Sequence, residues 1–238
     1  MDSDDSEARF ARAMCRQWSA HTSITHHPGA GRSMNQSNGI LNMESFDELL
    51  TMAEVAHGHL CAGQILGVRM AMLGCQRLGI DEPRSSDRKR LVTFVEIDRC
   101  ATDAIGVVTG CRLGKRALKF RDWGKMAATF IDLPSDRAIR IAARESSKEL
   151  ARTLHPEIES KNQQQMLAYR EMPDADLFIE EWVRVTLPPK EFPGYKGERL
   201  ACAKCGEGIN YDRFVERNDQ RLCLACANPE TRYYQPLA

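Results

Sequence analysis

The sequence contains no apolar run near the roughly 20 residues that a membrane-spanning helix needs. It also has no excess of either charge: Lys and Arg total 33, and Asp and Glu total 33, in 238 residues. Proteins devoted to non-specific nucleic-acid binding carry a clear basic surplus, so this balance counts against that class, though a local basic patch remains compatible with it. The opening Met1-Asp2-Ser3-Asp4-Asp5 is acidic and lacks the basic-then-apolar order of a signal peptide. A cytoplasmic location is therefore expected. No internal repeat recurs at a fixed period, which excludes solenoid architectures. What is present is 42% hydrophobic and 28% charged residues, enough apolar matter to bury a core. At roughly 150 residues per domain, the length suits one domain with a smaller addition.

Residues 1–42 read as a polar extension with a short helical stretch at Arg9–Trp18; the His26-His27 pair has no third ligand at a fixed spacing. Ser45-Phe46-Asp47-Glu48 is a capping box, followed by Phe46, Leu49, Leu50, Ala53 and Ala56 at helical spacing. A second helix, apolar on nearly every side, is predicted from about Ala62 to Leu78, and Gly79 stops it. Pro83 to Arg90 reads as a charged loop. Leu91 to Ile97 is rich in β-branched residues and predicts a buried strand. Thr102 or Asp103 is the expected cap of a short helix ending at Gly110. Ala117–Phe120 and Met126–Ile131 predict two more strands around a turn at Asp122-Trp123-Gly124. A long helix is expected from Pro134-Ser135 through Ile139, Ala142, Leu150 and Leu154 to Pro156, and another from Ile158 to Glu171. Phe178 to Leu187 predicts a strand. Helices and strands do not alternate strictly, so the expected class is α+β: helices on a small sheet, followed by a small cysteine module. The predicted divisions are an extension over 1–42, a core domain over 43–187, a linker over 188–198, a zinc finger over 199–230 and a tail over 231–238.

Nine cysteines are many for a reducing compartment, where close pairs read as metal ligands sooner than as disulfides. Cys202/Cys205 and Cys223/Cys226 form two C-x-x-C pairs, with seventeen residues between the inner cysteines. Each such turn directs two thiolates at one point, and two turns supply the four sulfurs of a closed tetrahedral Zn²⁺ site. Iron or an iron–sulfur cluster is the competing occupant. Some thirty residues hold too little core to fold alone, so bound metal supplies much of the folding free energy.

A second group lies in His57-Gly58-His59-Leu60-Cys61, where three soft or borderline ligands fall within five residues. An extended backbone turns all three to one face, and a helical one aligns His57 with Cys61. Cys100 sits where a strand passes into a helix, and amides there favour a thiolate. Asp103 follows it. Thr109-Gly110-Cys111-Arg112-Leu113-Gly114-Lys115 is an amide-rich turn that could hold an anion, with Lys115 beside it. It is not a P-loop, because Arg116 follows Lys115 where Ser or Thr should ligate Mg²⁺.

Three ordered stretches carry a resemblance: HGHLCAGQILGVRMA at 57–71, CATDAIGVVTGCRLGK at 100–115 and FRDWGKMAATF at 120–130. They resemble the FmdE-like proteins, named for an accessory component of tungsten or molybdenum formylmethanofuran dehydrogenase. That family often ends in a treble-clef finger, matched here by CAKCGEGINYDRFVERNDQRLCLACA from 201 to 226 once the leading Ala201 is set aside. Ala62 departs from the family's usual proline. The resemblance implies an α+β core, a treble clef and a homodimer. It further implies metal ligation by His57, Cys61 and Cys100, with His59, Asp103, Cys111 and Lys115 lining a metal or cofactor pocket.

The leading functional expectation is a metal-handling accessory protein tied to a molybdenum or tungsten enzyme or to one-carbon redox metabolism. It would hold Zn²⁺ in the finger and a second transition metal, or a metal-containing cofactor, in the core. One alternative is a small-molecule metalloenzyme with a metal-bound water, Asp103 as base and Lys115 as anion holder. A zinc-finger regulator of nucleic acid and thiolate chemistry at Cys61, Cys100 or Cys111 are the others.

Overall fold

The computed structural model describes residues 44–235, so the expected Arg9–Trp18 helix and the His26-His27 pair lie outside the described residues. The chain divides into two compact units, one ending at Thr186 and one beginning at Leu187.

The larger unit is built on three early helices. α1, Phe46–His57, opens with the predicted capping box: the Ser45 side chain accepts from the Glu48 amide while the Glu48 carboxylate accepts from the Ser45 amide. Gly58 ends it at φ 96°, a left-handed conformation that costs glycine little. α2, Ala62–Leu78, buries twelve of its seventeen residues, which is why its sequence shows apolar side chains all round. α3, Cys100–Thr109, begins two residues before Thr102 and three before Asp103, the two expected caps. Arg99 is its N-cap, and Thr102 instead donates through its hydroxyl to the Ile97 carbonyl at 2.5 Å.

The sheet has five strands: β1 Leu91–Val95, β2 Leu118–Phe120, β3 Ala127–Asp132, β4 Arg137–Ala143 and β5 Phe178–Val183. Their order is β2-β1-β3-β4-β5. β1 runs parallel to β2, with Thr93 opposite Leu118, and the remaining pairs are antiparallel. The turn at Gly124 therefore does not join paired neighbours, because β1 lies between β2 and β3.

The long helix expected from Pro134 is the main correction. Residues 137–143 are β4, and only Ser147–Leu154 is helical, as α4. Ile139 and Ile141 are fully buried and face Phe130 and Ala128 of β3 across the ladder. Asp136 takes φ 53° in the β3–β4 turn, a left-handed position that Asp tolerates. Pairing on both edges outweighs the helical propensity of the segment. α5, Lys161–Glu171, starts at Ser160, which caps the Gln163 amide. α6, Asp174–Leu177, is one turn long.

α2 packs on the sheet at touching distance. A Cβ on Gly74 would stand 2.4 Å from the Phe130 ring. A Cβ on Gly67 would stand 2.5 Å from the Ala101 carbonyl oxygen of α3. The small residues of α2 thus let a neighbouring backbone and a ring close in on it, and this fixes the starts of α2 and α3 side by side.

The smaller unit has two short hairpins and a helical turn. β6 Leu200–Ala201 pairs with β7 Gly208–Ile209, and β8 Phe214–Arg217 pairs with β9 Gln220–Cys223. α7, Leu224–Ala227, follows directly.

Candidate metal centres

His57 is the last residue of α1 and Cys61 is the N-cap of α2, with φ −148° and ψ 166°. The intervening turn doubles back, so the ligand atoms of His57, His59 and Cys61 all lie within 4.8 Å of one another. The two imidazole centroids are 4.8 Å apart and tilted by 43°. His59 is exposed, while His57 and Cys61 are partly buried. The Cys61 side chain caps no amide, which leaves its sulfur unengaged by the helix it precedes.

α3 completes the surroundings. The Asp103 carboxylate lies 2.8 Å from His57 Nδ1. A hydrogen bond from Nδ1–H to the carboxylate fixes the tautomer and leaves Nε2 as the free lone pair, the usual carboxylate–histidine support of a metal ligand. Cys100 opens the same helix. A Cβ on Gly63 would meet Cys100 Cβ at 3.3 Å and Cys61 Sγ at 3.7 Å, so both thiols flank Gly63. Burial pushes the Cys100 thiol above its ordinary pKa, and the neighbouring Cys61 sulfur pushes it further. An open cleft of about 360 Å³ adjoins the His57 side of the site, lined by His57, Asp98, Arg99, Cys100, Thr102 and Asp103. Two imidazoles and a thiolate suit Zn²⁺ and its later first-row neighbours.

Two residues of the expected site lie elsewhere. Cys111 follows the far end of α3, a helix length of about 15 Å from Cys100. It is 2% exposed, and its sulfur accepts from the Thr93 hydroxyl and faces the Leu91 carbonyl. Lys115 is exposed in the 3-10 turn Leu113–Lys115, near enough to Cys111 to act on its thiol electrostatically. The structure thus gathers His57, His59, Cys61, Cys100 and Asp103, and leaves Cys111 and Lys115 outside. The sequence reading missed Asp98 and Arg99 and gave Thr102 only the role of a helix cap. Their place at the strand-to-helix junction beside Cys100 was the available signal.

In the smaller unit Cys202, Cys205, Cys223 and Cys226 bring four sulfurs within 4.8 Å of one another. Gly206, at φ 76°, turns the first knuckle, and its amide donates to the Cys202 carbonyl at 2.9 Å. The amides of Cys205 and Cys223 are aimed at the Cys202 sulfur and hold its pKa down to about 6. Cys226 is pushed up to about 12, first by its neighbour Cys223 and then by burial. Four thiols this close cannot all ionise without a cation among them, and a divalent ion removes that conflict. The donor set fits Zn²⁺.

Comparison with known proteins matches both units of the chain, and the match to the smaller one names a four-cysteine zinc finger. The family described as FmdE, molybdenum formylmethanofuran dehydrogenase operon, matches residues 56–179. The prokaryotic DksA/TraR C4-type zinc finger matches residues 194–232. A probable S-adenosyl-L-methionine-binding protein of Archaeoglobus fulgidus is 32% identical over 203 residues, covering 75% of this chain. The chain spans 52% of that protein's length. The crystal structure of a tungsten formylmethanofuran dehydrogenase FmdE-like protein from Syntrophus aciditrophicus superposes with a TM-score of 0.56 at 20% identity, covering 84% of this chain and all of that one, and shares its fold. With the core motif, its metal-ligating cluster and the four-cysteine finger all in place, the chain belongs to the FmdE family.

Proposed function

We propose that this chain is a metal-binding accessory protein for a molybdenum or tungsten enzyme of one-carbon redox metabolism. The observation that carries the reading is the convergence of His57, His59 and Cys61 within 4.8 Å, backed by Asp103 on a different helix. In this reading His57, His59 and Cys61 hold a transition metal, Cys100 is a fourth donor or a near neighbour, and Asp103 positions His57. The finger is structural, since four cysteines close the coordination of its ion. A homodimer is the assembly that the family resemblance supports. No helix of the described residues is long and apolar enough to cross a membrane.

The enzyme reading draws support from the cleft beside His57 and Cys100. The groups first expected to serve it do not support it: Asp103 is engaged by His57, and Lys115 is at the far end of α3. Anaerobic Co²⁺ titration tests the accessory reading. A mixed imidazole–thiolate ion and a four-thiolate ion absorb differently, so two distinct spectral components should fill. Molybdenum or tungsten should then co-elute with the tagged chain from native extract. A single four-thiolate component, or a chain that turns over a one-carbon substrate unaided, would overturn it.

A further inference from the structure

A second cavity, of about 410 Å³, opens beside the start of α2, and nothing in the metal site uses it. Its size falls in the range of small-molecule sites. The charge around it is uneven. Lys125, Arg140, Arg144 and Lys148 line it, against a single lining carboxylate, Glu145. Glu145 pairs with Lys148 at 2.6 Å, and Glu96 holds Arg140 in a two-pronged bridge at 2.7 Å per contact. Counting ion-paired carboxylates, four cations against two leave a surplus of two, with Glu181, opposite Arg140 on β5, as a weaker negative charge on that pair. That surplus sits on Lys125 and Arg144. Neither forms an ion pair among the described residues, and the Arg144 Nε is spent on the carbonyls of Ala175 and Phe178.

The cavity also has a buried polar group. Tyr169 lines it and is 1% exposed. Its hydroxyl has one polar contact among the described residues, Ser147 Oγ at 3.4 Å, and Ser147 already donates to the Arg144 carbonyl at 2.7 Å. The tyrosine proton is therefore available to a stronger acceptor, and a buried donor without one is costly. Leu66 and Met126 supply an apolar wall.

We propose that this cavity binds a phosphate monoester with a small apolar body: the dianion against Lys125, Arg144 and the Tyr169 hydroxyl, the body against Leu66 and Met126. A phosphate monoester carries close to two charges at neutral pH, matching the surplus. The proposal is independent of the metal reading, since none of these residues belongs to the His57–Cys61 cluster.

Isothermal titration of the full, zinc-loaded chain with phenyl phosphate tests it. Wild type should bind one equivalent, more weakly as salt rises. Lys125→Ala and Tyr169→Phe should each weaken binding about tenfold, the loss expected for a hydrogen bond to a charged group. Benzyl alcohol, which lacks the charge, should give no heat. Lys125 is exposed and Tyr169→Phe keeps the ring, so both variants should fold with unchanged metal content. Absence of phenyl phosphate binding to wild type, as when a second copy of the chain fills the cavity, would overturn the proposal. So would equal affinity in wild type and both variants.

Discussion

Replacing Asp103 by Asn separates charge from shape at the core site. The carboxylate lies 2.8 Å from His57 Nδ1 and is 58% exposed. An asparagine fits the same space, and its amide oxygen can still accept from Nδ1–H. What is lost is the negative charge that makes the imidazole a stronger donor to an ion on Nε2. Loss of such outer support costs roughly 10- to 100-fold in metal affinity. Solvent screens a carboxylate this exposed, so Asn belongs at the weak end, about tenfold, or about 1.4 kcal/mol. Asp103→Ala also removes the acceptor and frees the ring to turn, and belongs nearer the strong end. Competition with a chromophoric chelator for Zn²⁺ measures this, and the finger serves as internal reference because its ligands are all thiolates. Core affinity should fall in the order wild type, Asn, Ala while finger affinity holds. If all three proteins bind core metal within about twofold of one another, Asp103 does not support a ligand and the reasoning fails.

Other outcomes follow from the same geometry. Gly67→Ala drives a Cβ to 2.5 Å from the Ala101 carbonyl, so α2 and α3 must part; a loss of about 1–3 kcal/mol in chemical denaturation is expected, with weaker core metal binding. Cys205→Ser should empty the finger and unfold residues near 199–230 in hydrogen exchange, yet leave the core metal in place. Cys75 is fully buried, and its thiol is pushed from 9.0 up to about 12, chiefly by burial. In the unfolded chain it ionises near the ordinary value and in the folded chain it does not. The unfolded state then binds fewer protons, and stability should fall as pH rises from about 9 toward 12. Denaturation midpoints across that window, compared with Cys75→Ala, check the sign; a stability that rises with pH contradicts it.

Much of this architecture is written in local signals. Gly58, Gly79 and Gly110 end the first three helices in left-handed conformations, as their places after apolar runs suggest. The Ser45–Glu48 box is equally local. β4 was not legible, because Ile139 and Ile141 owe their extended conformation to partners on β3 and β5 that no window of sequence contains. The site divides in the same way. His57, His59 and Cys61 lie within one turn of chain, so their meeting needs only the reversal at Gly58. The Asp103–His57 contact spans 46 residues and depends on α3 lying against α2 at Gly67. Cys111 shares a motif with Cys100, but the rigid rise of α3 carries it to the opposite end. Gly63 already signals a close backbone approach, and Gly67, one helical turn further on, was the overlooked sign that the approach continues along α2.

The most direct test counts metal atoms. Elemental analysis of the purified chain should give two transition-metal ions per molecule in wild type and one in Cys61→Ala. One ion in both proteins would mean that the imidazoles and thiol meeting at the α1–α2 turn hold nothing, and that the finger alone binds metal.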